Sequence, residues 1–441
     1  MQNIKTTLLT LLLLITLSVT TGAQSRPSDT GSAIETLIRR RIETVPRVET
    51  IERLRSDYYA DKYLLTFRQP LDHSDPAAGT FTQRVIVCHR GFDRPTVMVT
   101  EGYGAQYALY KGYHEELSDL LDANLIFVEH RYFLESTPEP KDWQYLTARN
   151  SADDLHQINK AFHTIYNKQW IATGISKGGQ TTVLYRTFHP DDVALSVPHV
   201  APLCYDAEDG RHEPFLKQIS TPADRHRIEA FQLEILKRRD ALMPLFGKYC
   251  HEHQLQFNAP LDEVYDMCVL EYSFALWQWG TPLTTIPPTN APDNTLFTHL
   301  MSISSPEYFQ KDGPTQSFFV QAARELGYYG YDTTPFKDHL KIKTTKGYLH
   351  KYMLPAELRD MPFDKTLSRK ITSYLTNNDP AMIFIYGEND PWTAAGVTWL
   401  KNKKNIHVFI QPGGSHKARI KTMTDKQQKE IIQLLRQTIN F

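Results

Sequence analysis

The sequence lacks an excess of charge of either sign. Its 441 residues carry 49 basic and 50 acidic side chains, which leaves a formal charge of −1. Binding to a nucleic-acid backbone depends on basic surface that displaces counterions, so this balance argues against nucleic acid as a partner. Internal repeats and low-complexity segments are also missing. With 41% hydrophobic and 22% charged residues, the composition excludes disordered and collagen-like chains and indicates a globular protein.

Cysteine is scarce, and no two cysteines form a C-x-x-C motif. That absence excludes the common zinc and redox motifs. The four cysteines are Cys88, Cys204, Cys250 and Cys268. In an oxidising compartment they allow up to two disulfides with three connectivities. We favour Cys250 with Cys268, which are close in one helical region; the alternative is that the cysteines are buried apolar side chains.

Metal-ligand patterns are likewise absent from the sequence. Residues 251–253 read His-Glu-His, but two residues that are two positions apart do not share a helix face. We therefore predict no metal and no cofactor.

Long hydrophobic runs are missing except at the N-terminus. Lys5 precedes an apolar run at 8–19, which is followed by Thr21-Gly22-Ala23. The run is too short to span a bilayer comfortably, since that takes roughly 20 residues, and its order of charge, apolar run and small residues is typical of a cleavable signal peptide at 1–23. An uncleaved anchor is the alternative. We expect a secreted or periplasmic protein without membrane attachment after cleavage, and the sequence leaves its oligomeric state open.

The rest of the chain alternates between apolar runs and amphipathic segments. Residues 24–61 are predicted to form a helical lead-in, a segment that precedes the first strand. Buried strands are predicted at 63–67, 81–88, 95–100, 125–128, 170–173, 195–200, 381–386 and 406–410. Helices are predicted at 151–166, with Ser151 as N-cap, and at 179–188, 392–400 and 425–439. Residues 206–375 show only helical periodicity. The pattern predicts an α/β protein in which 62–205 and 376–441 form one doubly wound sheet and 206–375 form a large helical cap.

The strongest chemical motif is Gly-Ile-Ser-Lys-Gly-Gly at 174–179. A G-x-S-x-G string alone is weak evidence, but this one lies between a predicted strand and a predicted helix. A nucleophile elbow needs such a tight turn, with glycines that let neighbouring chain pass close while the serine hydroxyl stands clear. Ser176 is therefore the predicted nucleophile; a glycine-rich turn without chemistry is the alternative.

A serine nucleophile needs a histidine base, which an acid must hold in the correct tautomer. In the α/β-hydrolase fold the chain order is serine, acid, histidine, and the last two follow late strands. Asp390 and His416 meet this order and position. Glu388 is a rival acid that lies closer to its strand, and His407 is a rival base inside the last strand.

An oxyanion hole requires two backbone N–H donors, one after the nucleophile and one after the third strand of the sheet. The residue after the nucleophile is Lys177, and the second loop is 100–105. We predict the amides of Lys177 and Tyr103 as the donors. A simple turn is the alternative for the second loop.

Several segments resemble one peptidase family. The segments are the 174–181 motif, Tyr185-Arg186, 189–193 and 199–202. They are similar to the bacterial secreted tripeptidyl aminopeptidases, or PS-10 serine peptidases. Residues 69–73, 81–84 and 129–133 are similar also to prolyl carboxypeptidases and dipeptidyl peptidases. The resemblance spans about 60–420 and implies a serine peptidase with Ser176, Asp390 and His416 that removes tripeptides from free N-termini.

An aminopeptidase must also recognise an α-ammonium group, which a partly desolvated carboxylate does well. Glu101 and Glu271 are the candidates. Glu129 with Arg131 is predicted to form a structural ion pair beside the site. Tyr272, Trp277 and Trp279 either line an apolar pocket or form the core of the cap.

The sequence thus predicts acyl transfer from short peptides to water, with the cap closing one end of the cleft. The rival function is an exported esterase or lipase with the same three residues. A binding protein that has lost activity on a hydrolase scaffold is a third possibility, against which the complete Ser, Asp and His set argues.

Overall fold

A computed structural model describes residues 36–439 and contains one nine-stranded sheet. The strands are β1 (Val48–Leu54), β2 (Asp61–Pro70), β3 (Thr80–His89), β4 (Thr96–Thr100), β5 (Asn124–Val128), β6 (Trp170–Ile175), β7 (Leu195–His199), β8 (Met382–Gly387) and β9 (Ile406–Gln411). Their spatial order is β1-β2-β3-β5-β4-β6-β7-β8-β9. Neighbouring strands among β1, β2, β3 and β5 pair antiparallel. From β5 through β4 to β9, neighbouring strands pair parallel.

Helices cover both faces of this sheet. They are α1 (Leu37–Glu43), α2 (Glu116–Leu120), α3 (Ala148–Phe162), α4 (Lys177–Phe188), α5 (His212–Leu216), α6 (Pro222–Lys237), α7 (Arg239–Glu252), α8 (Leu261–Trp279), α9 (Asp293–Ile303), α10 (Gln316–Gln321), α11 (Thr366–Asn377) and α12 (Asp425–Ile439). On β4, Val97 and Val99 pack with α2 and α12, whereas Met98 packs with α1 and α3. Alternate residues of a strand point to opposite faces, so this is the predicted doubly wound α/β-hydrolase sheet.

The cap consists of α5 to α10 and the short helical turns that follow them. Its apolar cluster includes residues of the sheet domain, among them Phe133, Cys204 and Trp392. The cap and the sheet domain therefore share one continuous core at the carboxyl edge of the strands. Helix α11 differs from the prediction: Leu367, Ile371 and Leu375 pack on β8, so it belongs to the sheet layer although it falls within the predicted cap segment 206–375.

The predicted lead-in at 24–61 is wrong in its described part, because it contains strand β1 as well as α1. Apolar residues at positions 48, 51 and 54 have a helix-like spacing of three. In the structure the register shifts by one residue between Val48 and Thr50. This bulge brings Val48 and Ile51, three positions apart, against the same cluster.

Two predicted helix boundaries are also wrong. Helix α3 begins after Thr147, whose side chain accepts from the Asn150 amide, instead of after Ser151. The predicted helix at 392–400 is only a 3₁₀ turn, Pro391–Ala395, and it ends before Gly396. If the helix continued, the Val397 amide would donate to a backbone carbonyl of the preceding turn. It donates to the Tyr386 hydroxyl instead.

The four cysteines are all buried and free. The favoured Cys250–Cys268 disulfide is therefore not formed, and the alternative that the cysteines act as small apolar side chains fits the structure. The predicted signal peptide at 1–23 lies outside the described residues. Within 36–439, no helix has the length and apolarity to cross a bilayer.

Candidate active site

Ser176 occupies a strained turn between β6 and α4. Its backbone has φ 59° and ψ −121°, a conformation that L-residues rarely adopt outside sites that require it. A Cβ at position 174 would collide with the carbonyl of Gly178, so only glycine lets the turn close. The Ser176 amide donates to the His199 carbonyl at the end of β7 (2.9 Å). These contacts hold the serine in the elbow predicted from the motif.

The predicted acid and base are hydrogen-bonded to each other. His416 Nδ1 lies 2.7 Å from Asp390 Oδ2, and both side chains are buried. An ionised carboxylate can only accept, so Nδ1 carries the proton and Nε2 has a free lone pair. Nε2 is buried and has no hydrogen-bond partner among the described residues. The imidazole is therefore in the tautomer that a general base needs.

The sheet brings these three residues to one edge. Ser176, Asp390 and His416 follow β6, β8 and β9, which are joined through β7 in a parallel array. The loops that carry the acid and the base are tied by the Asn389 amide, which donates to the Gly414 carbonyl (2.7 Å). Because the carboxyl ends of parallel strands meet at one edge, this edge is where α/β sheets place their sites.

The rival acid and base have other surroundings. Glu388 is exposed, and its carboxylate accepts from the Gly413 amide (2.7 Å). His407 lies within β9, paired in register with Ile383 of β8. Neither is bonded as Asp390 and His416 are.

The loop after β4 approaches the elbow as predicted, but its amides are already engaged. The Thr100 hydroxyl lies 3.1 Å from the Gly178 carbonyl, which joins the end of β4 to α4. The Tyr103 N–H donates to Glu101 Oε1 (3.1 Å). The predicted Tyr103 oxyanion donor is therefore not open in this structure. The Lys177 amide is at the first position of α4, where a backbone N–H has no intrahelical acceptor.

The Glu101 carboxylate accepts hydrogen bonds from residues of the segment that follows it. Besides the Tyr103 amide, it accepts from the Tyr107 hydroxyl (2.6 Å), and burial raises the pKa of its carboxyl. Both oxygens thus have donors within the protein, one of them a backbone amide, and the role of Glu101 in binding a substrate amine stays a prediction. The sequence placed Glu101 beside the predicted oxyanion loop, but it did not indicate that the Tyr107 hydroxyl donates to its carboxylate.

Glu271 has a different environment. This carboxylate of α8 is buried and accepts from the hydroxyls of Tyr329 (2.9 and 3.0 Å) and Tyr331 (2.9 Å). Within residues 36–439, no lysine or arginine forms an ion pair with it. Burial raises its pKa to about 7. A buried carboxylate that has hydroxyl donors but no counter-ion is suited to receive a cation.

An aromatic path connects Glu271 with His416, the predicted base. The Tyr329 ring lies 5.2 Å from the Trp392 ring, which in turn lies 6.5 Å from the imidazole of His416. Of the three predicted pocket aromatics, Trp279 is 6.0 Å from His416. Tyr272 and Trp277 are buried in the cap cluster. Trp279 therefore lies at the site, while the other two fit the alternative of a cap core.

The predicted Glu129–Arg131 ion pair is wrong in its partners. Glu129 pairs with Arg84 (2.5 Å), and Arg131 pairs with Asp154 (2.7 Å). Glu129 also accepts from the Ala105 amide (2.7 Å), so this buried pair braces the loop that follows β4. Arg84 is one of the residues that carried the family resemblance, and this was the only available signal for its role.

The side chain of Lys177 is a feature that sequence reasoning missed. Its ammonium is buried and has no hydrogen-bond partner among the described residues. It lies 5.8 Å from the ring centre of Tyr103 and 5.4 Å from that of Phe133. Burial lowers its pKa to about 7. The sequence assigned only the backbone amide of this residue.

Within the described residues, one group of side chains has the residue types and the spacing that could hold a metal ion. His156, His189 and Asp192 bring three such atoms within 4.8 Å of one another. The two imidazoles are stacked at 4.1 Å, and each is already bonded to an aspartate. His253 of the 251–253 segment bonds to the Tyr249 carbonyl instead.

Comparison with known proteins identifies similar sequences. The model of the family described as PS-10 peptidase S37 matches residues 32–437. The chain is 30% identical over 433 residues to a prolyl tri/tetrapeptidyl aminopeptidase of Streptomyces mobaraensis, covering 94% of this chain and 88% of that one. It is 21% identical over 410 residues to the human lysosomal Pro-X carboxypeptidase, covering 80% and 82%.

Among solved structures, the chain is similar to a proline iminopeptidase of Mycobacterium smegmatis. That similarity has a TM-score of 0.40 and 14% identity, over 85% of this chain and 97% of the other.

Proposed function

This chain belongs to the PS-10 peptidase S37 family, and on that premise we propose that it removes short peptides, tripeptides in particular, from free N-termini. The family and the aminopeptidase relative make it a serine exopeptidase. The observation that supports release from free N-termini is the Glu271 carboxylate. It is buried, it has no ion pair among the described residues, and an aromatic path connects it with His416.

The proposed chemistry is acyl transfer through a covalent intermediate. Ser176 Oγ attacks the scissile carbonyl while His416 Nε2 takes its proton, and Asp390 stabilises the imidazolium that forms. The C–N bond then breaks, and His416 returns the proton to the leaving amine. Water repeats the sequence on the acyl-enzyme and releases the short peptide. The Lys177 amide stabilises the oxyanion; for Tyr103 to act as the second donor, its N–H must turn from Glu101 to the substrate.

The direction in which a peptide would lie in the site supports the release of short peptides from the N-terminal end. Ile175, which precedes the nucleophile, is 40% exposed. Trp392 and Tyr329 form the aromatic path between His416 and Glu271. In the proposed binding mode, the α-ammonium of the peptide pairs with Glu271, its chain follows this path, and the remaining chain leaves the site past Ile175.

The test compares free and N-acetylated di-, tri- and tetrapeptidyl anilides with the wild type and Glu271→Gln. The amide keeps the size of the carboxylate but removes its charge. We expect the wild type to prefer the free tripeptide, and Glu271→Gln to lower kcat/KM for it by about 10- to 100-fold, because a charged hydrogen bond is lost. Glu252→Gln, an exposed cap carboxylate, is the matched control.

The pairing of Glu271 with the substrate amine also predicts how KM depends on pH. Glu271 must be ionised, and its pKa is about 7; the substrate amine must be protonated, and its pKa is about 7.7–8.0. KM for the free tripeptide should therefore fall as pH rises through 7 and rise again above 8. Equal turnover of free and blocked peptides would refute amine recognition, and turnover of a short-chain ester alone would favour the esterase.

We propose in addition that the protein is exported and cleaved after Ala23. The apolar run at 8–19 and the small residues after it support this proposal. The intact mass of protein recovered from the periplasm or medium should match a chain that starts at Gln24. Recovery of an uncleaved chain from the membrane fraction would contradict it.

A further inference from the structure

The Lys177 ammonium is an unsatisfied donor on the residue that follows the predicted nucleophile in the sequence. Lys177 is 2% exposed, and its Nζ has no hydrogen-bond partner among the described residues. An ammonium carries three N–H donors. Burying it without an acceptor costs free energy, which explains why burial lowers its pKa.

The nearby groups do not supply that acceptor. The rings of Tyr103 and Phe133 offer their faces at 5.8 and 5.4 Å, an attraction that leaves the N–H donors unbonded. Glu101 is close enough to influence the ammonium, but it does not form an ion pair with it. Its carboxylate is used instead by the Tyr103 amide and the Tyr107 hydroxyl.

The ammonium lies on the same aromatic wall as Glu271. The Tyr103 ring packs 5.7 Å from Phe318 of the cap, and Phe318 packs 5.5 Å from Tyr328. Tyr328 then stacks on Tyr329 at 4.3 Å, and Tyr329 donates to Glu271. A peptide that extends from the nucleophile to Glu271 along this wall passes the ammonium on its way.

The groups that such a peptide presents near the ammonium are its main-chain carbonyls. The Lys177 amide faces the oxygen of the scissile carbonyl in the proposed mechanism, and successive residues of an extended peptide are about 3.3–3.6 Å apart. In the proposed binding mode, the next carbonyl toward the free amine is the group that the side chain of the same residue contacts.

We propose that the Lys177 ammonium determines specificity by donating a hydrogen bond to a main-chain carbonyl of the bound peptide, between its free amine and the scissile bond. This rests on the proposed exopeptidase function. Among the described residues, the buried Lys177 ammonium has no hydrogen-bond acceptor, and the buried Glu271 carboxylate has hydroxyl donors but no ion pair. Together they accept a peptide in one direction only, with its amine at Glu271 and its carbonyl at Lys177.

The first test is Lys177→Met, which keeps an unbranched side chain without the ammonium, measured on a free tripeptidyl anilide and on p-nitrophenyl acetate. The ester has a scissile carbonyl but no further main-chain carbonyl. We expect kcat/KM for the tripeptide to fall by about 10- to 100-fold more than for the ester. Equal losses on the two substrates would show a structural role and overturn the proposal.

The second test uses a tripeptidyl anilide in which an alkene replaces the amide that precedes the last residue of the tripeptide. The wild type should lose about 10- to 100-fold in kcat/KM on this substrate, and Lys177→Met should lose little more, because the two changes remove one interaction. The wild-type measurement remains informative if the variant fails to fold. A wild type that is indifferent to the alkene would overturn the proposal.

Two further outcomes are distinguishable. A Lys177→Met defect confined to tripeptides with aspartate or glutamate would mean that the ammonium selects an acidic side chain, which refutes carbonyl recognition. A wild type that hydrolyses the ester but no peptide would refute the proposed function and this inference with it.

Discussion

At residue scale, the environment of each carboxylate decides its role. Asp390, Glu101 and Glu271 are all buried, yet they are bonded to an imidazole, to an amide with a hydroxyl, and to two hydroxyls, respectively. Of the three, Asp390 is the one bonded to an imidazole. Glu271 is bonded by hydroxyls alone, so the three acids are not interchangeable.

We predict that Asp390→Asn lowers kcat by about 10⁴-fold, the size of effect known for the corresponding change in a serine protease triad. The asparagine amide can donate to Nδ1, which favours the tautomer with Nε2 protonated and removes the base. The measurement is kcat on a free tripeptidyl anilide, together with the Tm to exclude unfolding.

Glu388→Gln makes the same carboxylate-to-amide change at the exposed rival and should leave kcat within about twofold, because the glutamine side-chain carbonyl can still accept from the Gly413 amide and changes at exposed side chains usually have small effects. If Glu388→Gln were the inactive variant and Asp390→Asn the active one, the assignment of the acid would be reversed.

At the scale of elements, α8 connects the cap to the predicted base, His416. The His416 amide donates to the Gln278 carbonyl in the last turn of this helix (2.9 Å). The helix ends at Gly280 in the left-handed conformation, with φ 62° and ψ 42°. A Cβ there would lie 2.9 Å from the side chain of Ser415. The end of α8 thus fixes the position of the loop that carries His416.

Gly280→Ala should destabilise the protein by about 1–2 kcal/mol, because alanine is strained at positive φ and must displace Ser415. We expect a lower Tm and a reduced kcat with little change in KM, since the loop of His416 shifts. Gly210→Ala is the matched control, because a Cβ at that position meets nothing within 4 Å. A Gly280→Ala variant with unchanged Tm and kcat would show that this helix end does not position the base.

At the scale of the whole molecule, the cap and the sheet domain share a single apolar cluster. Phe133 and Trp392 of the sheet domain belong to the same cluster as Phe318 and Tyr329 of the cap. The rings that link Glu271 with His416, those of Tyr329 and Trp392, belong to this shared core. The cap is therefore part of the site's wall.

The molecule needs no disulfide to hold this arrangement, and we predict that it has four free thiols. Denatured, unreduced protein should yield four thiols with an aromatic disulfide reagent. The native protein should react slowly, because all four are buried and burial raises the pKa of Cys88 to about 12 and of Cys250 to about 11. A reductant should leave the Tm unchanged. Two thiols after denaturation, with a Tm that falls on reduction, would instead indicate the Cys250–Cys268 bond.

The sequence by itself determined the features that depend on neighbouring residues. The glycines around Ser176 make the elbow, continuous apolar runs mark the buried strands, and Ser176, Asp390 and His416 each come after a predicted strand in the order serine, acid, histidine. Each of these follows from local backbone geometry and from apolar spacing. Where local spacing was ambiguous, as in the apolar period of three in β1, the sequence prediction was wrong.

Only the tertiary structure decided the partners of the buried charges. Glu129 pairs with an arginine 45 positions away, and Glu271 is bonded to a tyrosine 58 positions away. The missing partner of the Lys177 ammonium is also a property of the folded chain. The physical reason is that the free energy of a buried charge depends on the groups that folding gathers around it, and these groups are distant in the sequence.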